Sequence, residues 1–432
     1  MLKRTSFAAF ALALLLGFVG NAQSALSQEP INVSNTSNVC SARGDCRPAM
    51  VVDHDDVYLA WTQTVGGGES TVMFTSSSDA GETFAAPQAV LPMPKTMAKQ
   101  PALALLSDGT VLLAWSDDRQ GAFDVLLTRS DDGGATWRWD TDNDFLNLSE
   151  NRGNSTQPAL AVGGDDTIVV AWSDDAFDEF VNPNVNRNIF MRTFNEVQGP
   201  DFTQVLNISD RATATNNASA EHPSIAINPD NSLDIFVVWE QTTFRTSEIF
   251  FNQSTPFASP INLSNTSSRD SHSPVIVFQN SLNAGAQQLL VLWMEHLGAT
   301  TQIFSNSTLS AGVPFEQPSF SQSPFNFSQV TTGSARAPAA VADGDGNVFV
   351  VWEEQQGRNS SSIRLRTSFD PFAPPDTLTS QADTSHFHAA FSDARSPAIA
   401  VDGSRVFVAW VEKPESAEGF DVFFVKREST TF

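Results

Sequence analysis

Positive charge is the scarcest ingredient of this chain. Its 432 residues hold 24 Lys and Arg against 49 Asp and Glu, a formal net charge of −25, and the lysines are confined to Lys3, Lys95, Lys99, Lys413 and Lys426. Such a balance repels the phosphate backbone of nucleic acid and anionic lipid, so neither is an expected partner. Long apolar runs are equally scarce. The stretch from Phe7 to Val19 is too short to span a bilayer, and nothing later is long enough. Tyrosine occurs once, at Tyr58, and cysteine twice, at Cys40 and Cys46. With 41% hydrophobic and 17% charged residues, the remainder has the composition of a folded chain.

The first residues read as an address. Lys3-Arg4, the apolar segment and small residues at Ala22, Ser24, Ala25 and Ser27 form a secretory signal over residues 1–27. Residues 28–432 are then expected outside the cytoplasm as one domain, without a transmembrane segment and as a monomer. In an exported chain two nearby cysteines predict a local Cys40–Cys46 disulfide, contributing roughly 2 kcal/mol by loop entropy.

What the sequence has in abundance is repetition. A Pro followed by a Trp recurs as Pro48 and Trp61, Pro101 and Trp115, Pro158 and Trp172, Pro223 and Trp239, Pro274 and Trp293, Pro338 and Trp352, and Pro397 and Trp410. Successive Trp residues lie 54, 57, 67, 54, 59 and 58 positions apart, and the runs before them alternate like strands, as in Val348-Phe-Val-Val-Trp352. An all-strand repeat of that period predicts the blades of a β-propeller. Each Trp is expected between blades, and each Pro before the first strand of its blade, where no ladder donor is needed.

A second element closes the pattern. Leu146-Asn-Leu-Ser, Leu206-Asn-Ile-Ser, Ile261-Asn-Leu-Ser and Phe325-Asn-Phe-Ser end their units, but nothing of the kind follows Val422-Phe-Phe-Val425; it stands instead near the N-terminus as Ile31-Asn-Val-Ser34. Two exposed strand edges are costly, and pairing them removes both. The expectation is an all-β, seven-bladed propeller closed by the N-terminal strand, which completes the blade of Trp410.

Ser130-Asp-Asp132-Gly-Gly134-Ala-Thr136-Trp137 carries every fixed position of the Asp box, Ser-x-Asp-x-Gly-x-Thr-Trp, and Ser77-Ser-Asp79-Ala-Gly81-Glu-Thr83-Phe84 carries it with Phe for Trp. In this the chain resembles the sialidase-like propellers of the bacterial neuraminidase repeat (BNR) family. The resemblance implies that these boxes are structural turns between third and fourth strands, away from the ligand. It also implies an arginine triad and a tyrosine nucleophile in an enzyme, and here the chain departs: the family's Arg-Ile-Pro motif is missing, Cys46-Arg-Pro48 and Arg336-Ala-Pro338 being the nearest approximations, and Tyr58 lies inside a strand. Loops before each Pro and after each Trp should share one face. That face gathers the ligand candidates Arg47, Arg119, Arg336, Arg395, Asp117, Asp174, Glu240, Glu295, Glu353 and Glu412, which alternatively pair with one another. Catalytic residues are not assigned.

Asp140-Thr-Asp142-Asn-Asp144 and Asp343-Gly-Asp345-Gly-Asn347 have alternating oxygen donors of the kind calcium takes, but lack the downstream Glu of a full loop, and no cofactor or metal is expected otherwise. The function that follows is a secreted carbohydrate- or protein-binding module without hydrolase activity, its partner a glycan or an extracellular protein surface. The alternative is a divergent exo-sialidase or other glycoside hydrolase.

Overall fold

The computed structural model describes residues 29–36, 39, 47–91, 96–175, 187–195, 204–209, 219–242, 246–254, 259–266, 268–281, 286–308, 320, 323–357, 360–367, 375–378, 393–413 and 419–428. The proposed signal segment, Cys40 and Cys46 lie outside them. The described residues are strands and turns, with no helix among them.

Alternating apolar runs punctuated by turn residues give antiparallel meanders. Unit 1 is the four-stranded sheet Ala49–Asp53, Asp56–Gly66, Glu69–Ser77 and Gln88–Ala89; unit 2 is Lys99–Leu105, Val111–Asp117, Asp124–Ser130 and Leu146–Asn147. Unit 3 follows as Ser155–Val162, Thr167–Asp174, Asn188–Asn195 and Leu206–Asn207, and unit 4 as Ala220–Asn228, Asn231–Thr242, Ser247–Gln253 and Ile261–Asn262. Unit 5 is Ser271–Ser281, Ala286–Leu297, Thr300–Ser307 and Phe325–Asn326. The rest forms an eight-stranded sheet whose halves meet at one parallel pairing, Ser361 with Asp393. Unit 6 is its first half, Ser334–Ala342, Val348–Gly357, Ser360–Thr367 and Asp376–Thr377. Unit 7 is its second, Asp393–Asp402, Arg405–Lys413, Asp421–Glu428 and the N-terminal Ile31–Asn32. That last strand pairs as the sequence pattern expects, Ile31 opposite Phe424 and Asn32 opposite Phe423.

The units are held by what lies between them. Trp115 shares a buried cluster with Ala60, Val72 and Phe74 of unit 1, and Trp172 with Leu112, Ala114 and Leu127 of unit 2. Each later Trp repeats this with the unit before it, and Trp61 does so with Phe407, Ala409 and Phe424 of unit 7. All seven are 0–2% exposed.

The Asn-x-Ser segments have a mechanical reading. Ser264 Oγ accepts the Ile249 amide (2.9 Å) and donates to Glu248 Oε2 (2.5 Å). Ser149 does the same with the Val125 amide and Asp124, Ser328 with Ile303 and Gln302, and Ser34 with Val422 and Asp421. The Asn takes the amide three residues on, as Asn262 does from Asn265 (2.8 Å) and Asn326 from Gln329 (3.0 Å), so each segment locks a short outer strand onto the third.

The Asp boxes are built as turns. Asp132 Oδ1 accepts the Thr136 amide (2.8 Å), its Oδ2 accepts the Thr136 hydroxyl (2.7 Å), and Ser130 Oγ accepts the Gly134 amide (2.8 Å); Ser77, Asp79, Gly81 and Thr83 repeat the set. Hydrogen bonds from Thr83 bring Asp79 down to about 2. Gly134 has φ +95° and its Cβ position lies 1.9 Å from the Phe74 ring, so only glycine fits there. Trp137 rests edge-on against Phe74, and Phe84 against Phe424. Each box follows the third strand, Ser77 being paired with Val57, at the end of the sheet away from Thr62.

The prolines correct the sequence reading. Pro48 does precede its strand, but Pro101, Pro158, Pro223, Pro274, Pro338 and Pro397 lie inside theirs, each at a register shift such as that between Thr156 and Ala159 or Arg336 and Ala339. The residue before each adopts a left-handed conformation: Gln100, Gln157, His222, Ser273, Ala337 and Ser396 have φ of +47° to +60°. A bulge there lets the ladder omit the proline's missing donor.

Candidate functional site

One cavity of about 460 Å³ is lined by first-strand residues of all seven units, among them Arg47-Pro48, Gln100-Pro101, Gln157-Pro158, His222-Pro223, Ser273-Pro274, Ala337 and Ser396. At four of the bulges the backbone N–H donates to a side chain of the neighbouring unit. Thr62 Oγ1 accepts from Gln100 (3.3 Å), Gln100 Oε1 from Gln157 (3.0 Å), Gln157 Oε1 from His222 (2.8 Å), and Glu240 Oε2 from Ser273 (3.2 Å). The Ser396 amide of unit 7 lies near enough to Glu353 to lower its carboxyl a little. Arg47 reaches further, donating to the Pro338 carbonyl of unit 6 (3.0 Å).

The sequence candidates divide into two groups. Asp117, Asp174, Glu295 and Glu412, two residues after their Trp, are 0–7% exposed and accept the indole N–H, at 3.1, 2.9, 3.0 and 2.7 Å. Asp117 also holds Arg119 (2.7 Å), whose guanidinium lies over Phe145, 4.8 Å from the ring centroid, and Glu295 holds Arg269 (2.8 Å). These groups are committed to the wall beneath the mouth. Arg336 and Arg395, expected in loops, lie instead within first strands. Arg395 is bound by both nitrogens to Asp393 and sits over Phe420. Arg336 is exposed, faces Glu353 in the ladder, and has no ion pair within 4 Å among the described residues.

Glu240 and Glu353, one residue after their Trp, form the second group. Glu240 is gripped by His272 Nδ1 (2.7 Å) and His222 Nδ1 (3.3 Å). Burial alone would raise its carboxyl, but those imidazoles more than offset it and bring it down to about 2. The same hydrogen bond raises His272. His222 Nε2 lies 3.2 Å from Gln157 Nε2, so a second neighbour fixes its ring. Burial pushes Glu353 up to about 7, with Arg336 and Arg395 offsetting only part of it.

The histidines show no metal-like spacing in the sequence, and what brings them to Glu240 is the bulge preceding Pro223 and Pro274. Among the described residues no group of three or more His, Cys, Asp or Glu is placed to hold a metal. The carboxylates of Asp140 and Asp343 are occupied in their own turns, accepting the amides of Asp142 and Asn143 and of Asp345 and Asn347. Tyr58 is 8% exposed and stacked on Phe74.

The boxes and the strand pattern have a counterpart among known families. Residues 29–183 match the BNR repeat-like domain. This bears out the resemblance drawn from the boxes at Ser77 and Ser130. No curated protein matches the chain. Among solved structures it is similar to an ulvan lyase of polysaccharide lyase family 25 (10% identity, 93% of this chain and 96% of that one, TM-score 0.60). It is similar also to the α-L-arabinofuranosidase of Fusarium graminearum (12%, 94% and 98%, TM-score 0.51) and to a puromycin-hydrolyzing peptidase of Mycobacterium tuberculosis (12%, 91% and 54%, TM-score 0.51). At such identities the likeness shows the fold, propeller-like and all-β, and the different chemistries of the three show that the fold does not choose one.

Proposed function

We propose that the chain is an exported, monomeric, single-domain propeller of seven blades, closed by Ile31–Asn32, that takes a carbohydrate at the mouth of its axial cavity. The observation that carries this is the cavity itself, to which every unit contributes residues of its first strand. Concave sites with a few convergent polar groups are where ligands bind. The glycoside hydrolase and the polysaccharide lyase among its structural neighbours favour a glycan over a protein surface. The exposed Arg336 beside the buried Glu353 favours a glycan bearing carboxylate or sulfate groups, since a guanidinium without a carboxylate partner recognises anions in pairs of hydrogen bonds. A sialidase mechanism finds no support, because the single tyrosine is packed against Phe74 inside its strand.

The test is a glycan array with the mature protein. Retention of acidic glycans, weakened at least tenfold by Arg336→Ala, is the expected result. Retention of none, or retention indifferent to Arg336, contradicts the reading.

A further inference from the structure

The collar of the axial cavity is made by the residue before each proline, and it is lopsided. Units 1 to 4 place Arg47, Gln100, Gln157 and His222 there, and units 5 to 7 place Ser273, Ala337 and Ser396. On the long side the glutamines hold the ring together. Gln100 Oε1 accepts the Gln157 N–H (3.0 Å) and Gln157 Oε1 accepts the His222 N–H (2.8 Å), so each carbonyl caps the bulge of the unit that follows. Elsewhere the residue after the Trp does this work: Thr62 accepts from Gln100 (3.3 Å) and Glu240 from Ser273 (3.2 Å). Glu353 stands at the same position ahead of unit 7.

Both arrangements fail at unit 6. The residue before the proline of unit 5 is Ser273, whose hydroxyl stops well short of where a glutamine carbonyl ends, and the residue after its Trp is Met294, whose thioether is a weak acceptor. No side chain among the described residues accepts the Ala337 N–H. Ala337 lines the cavity and is half-buried, and a backbone donor in such a wall calls for an acceptor. Cations flank it in the chain on both sides. Arg336, just before it, is exposed; Arg47 of unit 1 donates to the carbonyl of Pro338, just after it (3.0 Å).

We propose that an anionic oxygen of the glycan, from a carboxylate or a sulfate, takes the Ala337 N–H, standing where Gln100 Oε1 and Gln157 Oε1 stand in units 2 and 3, with the Arg336 guanidinium on the same group. An oxyanion held by a backbone N–H and a guanidinium forms charge-assisted bonds, stronger than those a hydroxyl makes there. Ser273 is then the specificity-determining residue, because its short side chain leaves the acceptor position to the ligand. The proposal rests on the carbohydrate reading above and says where in the mouth the negative charge is held.

The experiment uses the mature protein and the acidic glycans that the array shows it to retain, with carboxylated and sulfated members scored apart; retention of either names the anion. Ser273→Gln gives unit 5 the side chain of units 2 and 3 on a matching backbone, φ being +52° at Ser273 against +57° at Gln100 and +60° at Gln157. Its Oε1 then caps Ala337, so retention should fall about tenfold or more while thermal melting stays at or above that of the parent. Retention indifferent to Ser273→Gln overturns the seat. A second measurement does not depend on how that variant folds. With carbonyl-13C arginine and 15N-alanine, only the Arg211-Ala212 and Arg336-Ala337 pairs give amide signals. Glycan added to the parent should move one of the two downfield, and Ser273→Gln should move the same one without glycan. A retained glycan that leaves both signals in place also overturns the seat. Either failure leaves the binding reading standing on its own Arg336→Ala test, whereas the absence of any retained glycan defeats both.

Discussion

The two positions that follow each buried Trp are neighbours in sequence and opposites in use. The second of them, occupied by Asp117, Asp174, Glu295 and Glu412, turns inward beneath the Trp of its own unit and is spent on the indole N–H. The first, where Glu240 and Glu353 stand, turns toward the next unit and meets the bulge before its proline. Strand alternation sends adjacent side chains to opposite faces, so one residue of register separates a group spent beneath its own Trp from a group turned to the next unit's bulge. A carboxylate count made on sequence mixes the two kinds.

The sharpest way to break this comparison is to remove an inward carboxylate. Asp117→Ala leaves the Trp115 indole and the Arg119 guanidinium buried without their acceptor, and should cost about 3–5 kcal/mol in urea unfolding. A loss under about 1 kcal/mol would place Asp117 with the bulge-facing group instead.

Next in size is pH dependence, where the two bulge-facing glutamates pull in opposite directions. Glu353 is raised in the folded chain, from an ordinary 4.5 to about 7, so its contribution is complete below about 4.5 and lost as pH rises through about 7. Glu240 is lowered to about 2, so its contribution is complete above about 4.5 and lost as pH falls through about 2. Each shift corresponds to roughly 3 kcal/mol between its limits. Denaturant titrations across pH should show Glu353→Gln flattening the alkaline side of the stability curve and Glu240→Gln the acid side; the same side responding to both would erase the distinction.

Smaller effects mark what neither position controls. Ser264→Ala removes the acceptor of the Ile249 amide and the donor to Glu248, and should cost about 1–2 kcal/mol. Arg336→Ala, at an exposed position, should leave unfolding within about 0.5 kcal/mol of the parent while weakening glycan retention. Destabilisation by more than that would show a structural Arg336.

The repeat is legible in the sequence because packing imposes it. Each interface needs one Trp, each bulge one Pro, and five of the short outer strands an Asn-x-Ser, so spacing alone places the units and assigns Ile31–Asn32 to the strand of Val422. The prolines were legible as markers but not as bulges, since the left-handed residue before each is Gln, His, Ser or Ala and carries no common signature. The site was legible in part. Glu240 and Glu353 are visible as acids after a Trp, but the grip of His222 and His272 on Glu240 spans three strands, and the isolation of Glu353 depends on Arg336 pairing with it across the ladder without reaching its carboxyl. Both are facts of distance between side chains on different strands, to which periodicity is blind.

The most direct measurement is a carbon-13 NMR titration of the glutamate carboxyls, with Glu240→Gln and Glu353→Gln providing assignments. Glu353 should change protonation near pH 7 while Glu240 stays ionised down to the pH 2 region. Both resonances titrating together between pH 4 and 5 would contradict the account, for the two would then share one environment.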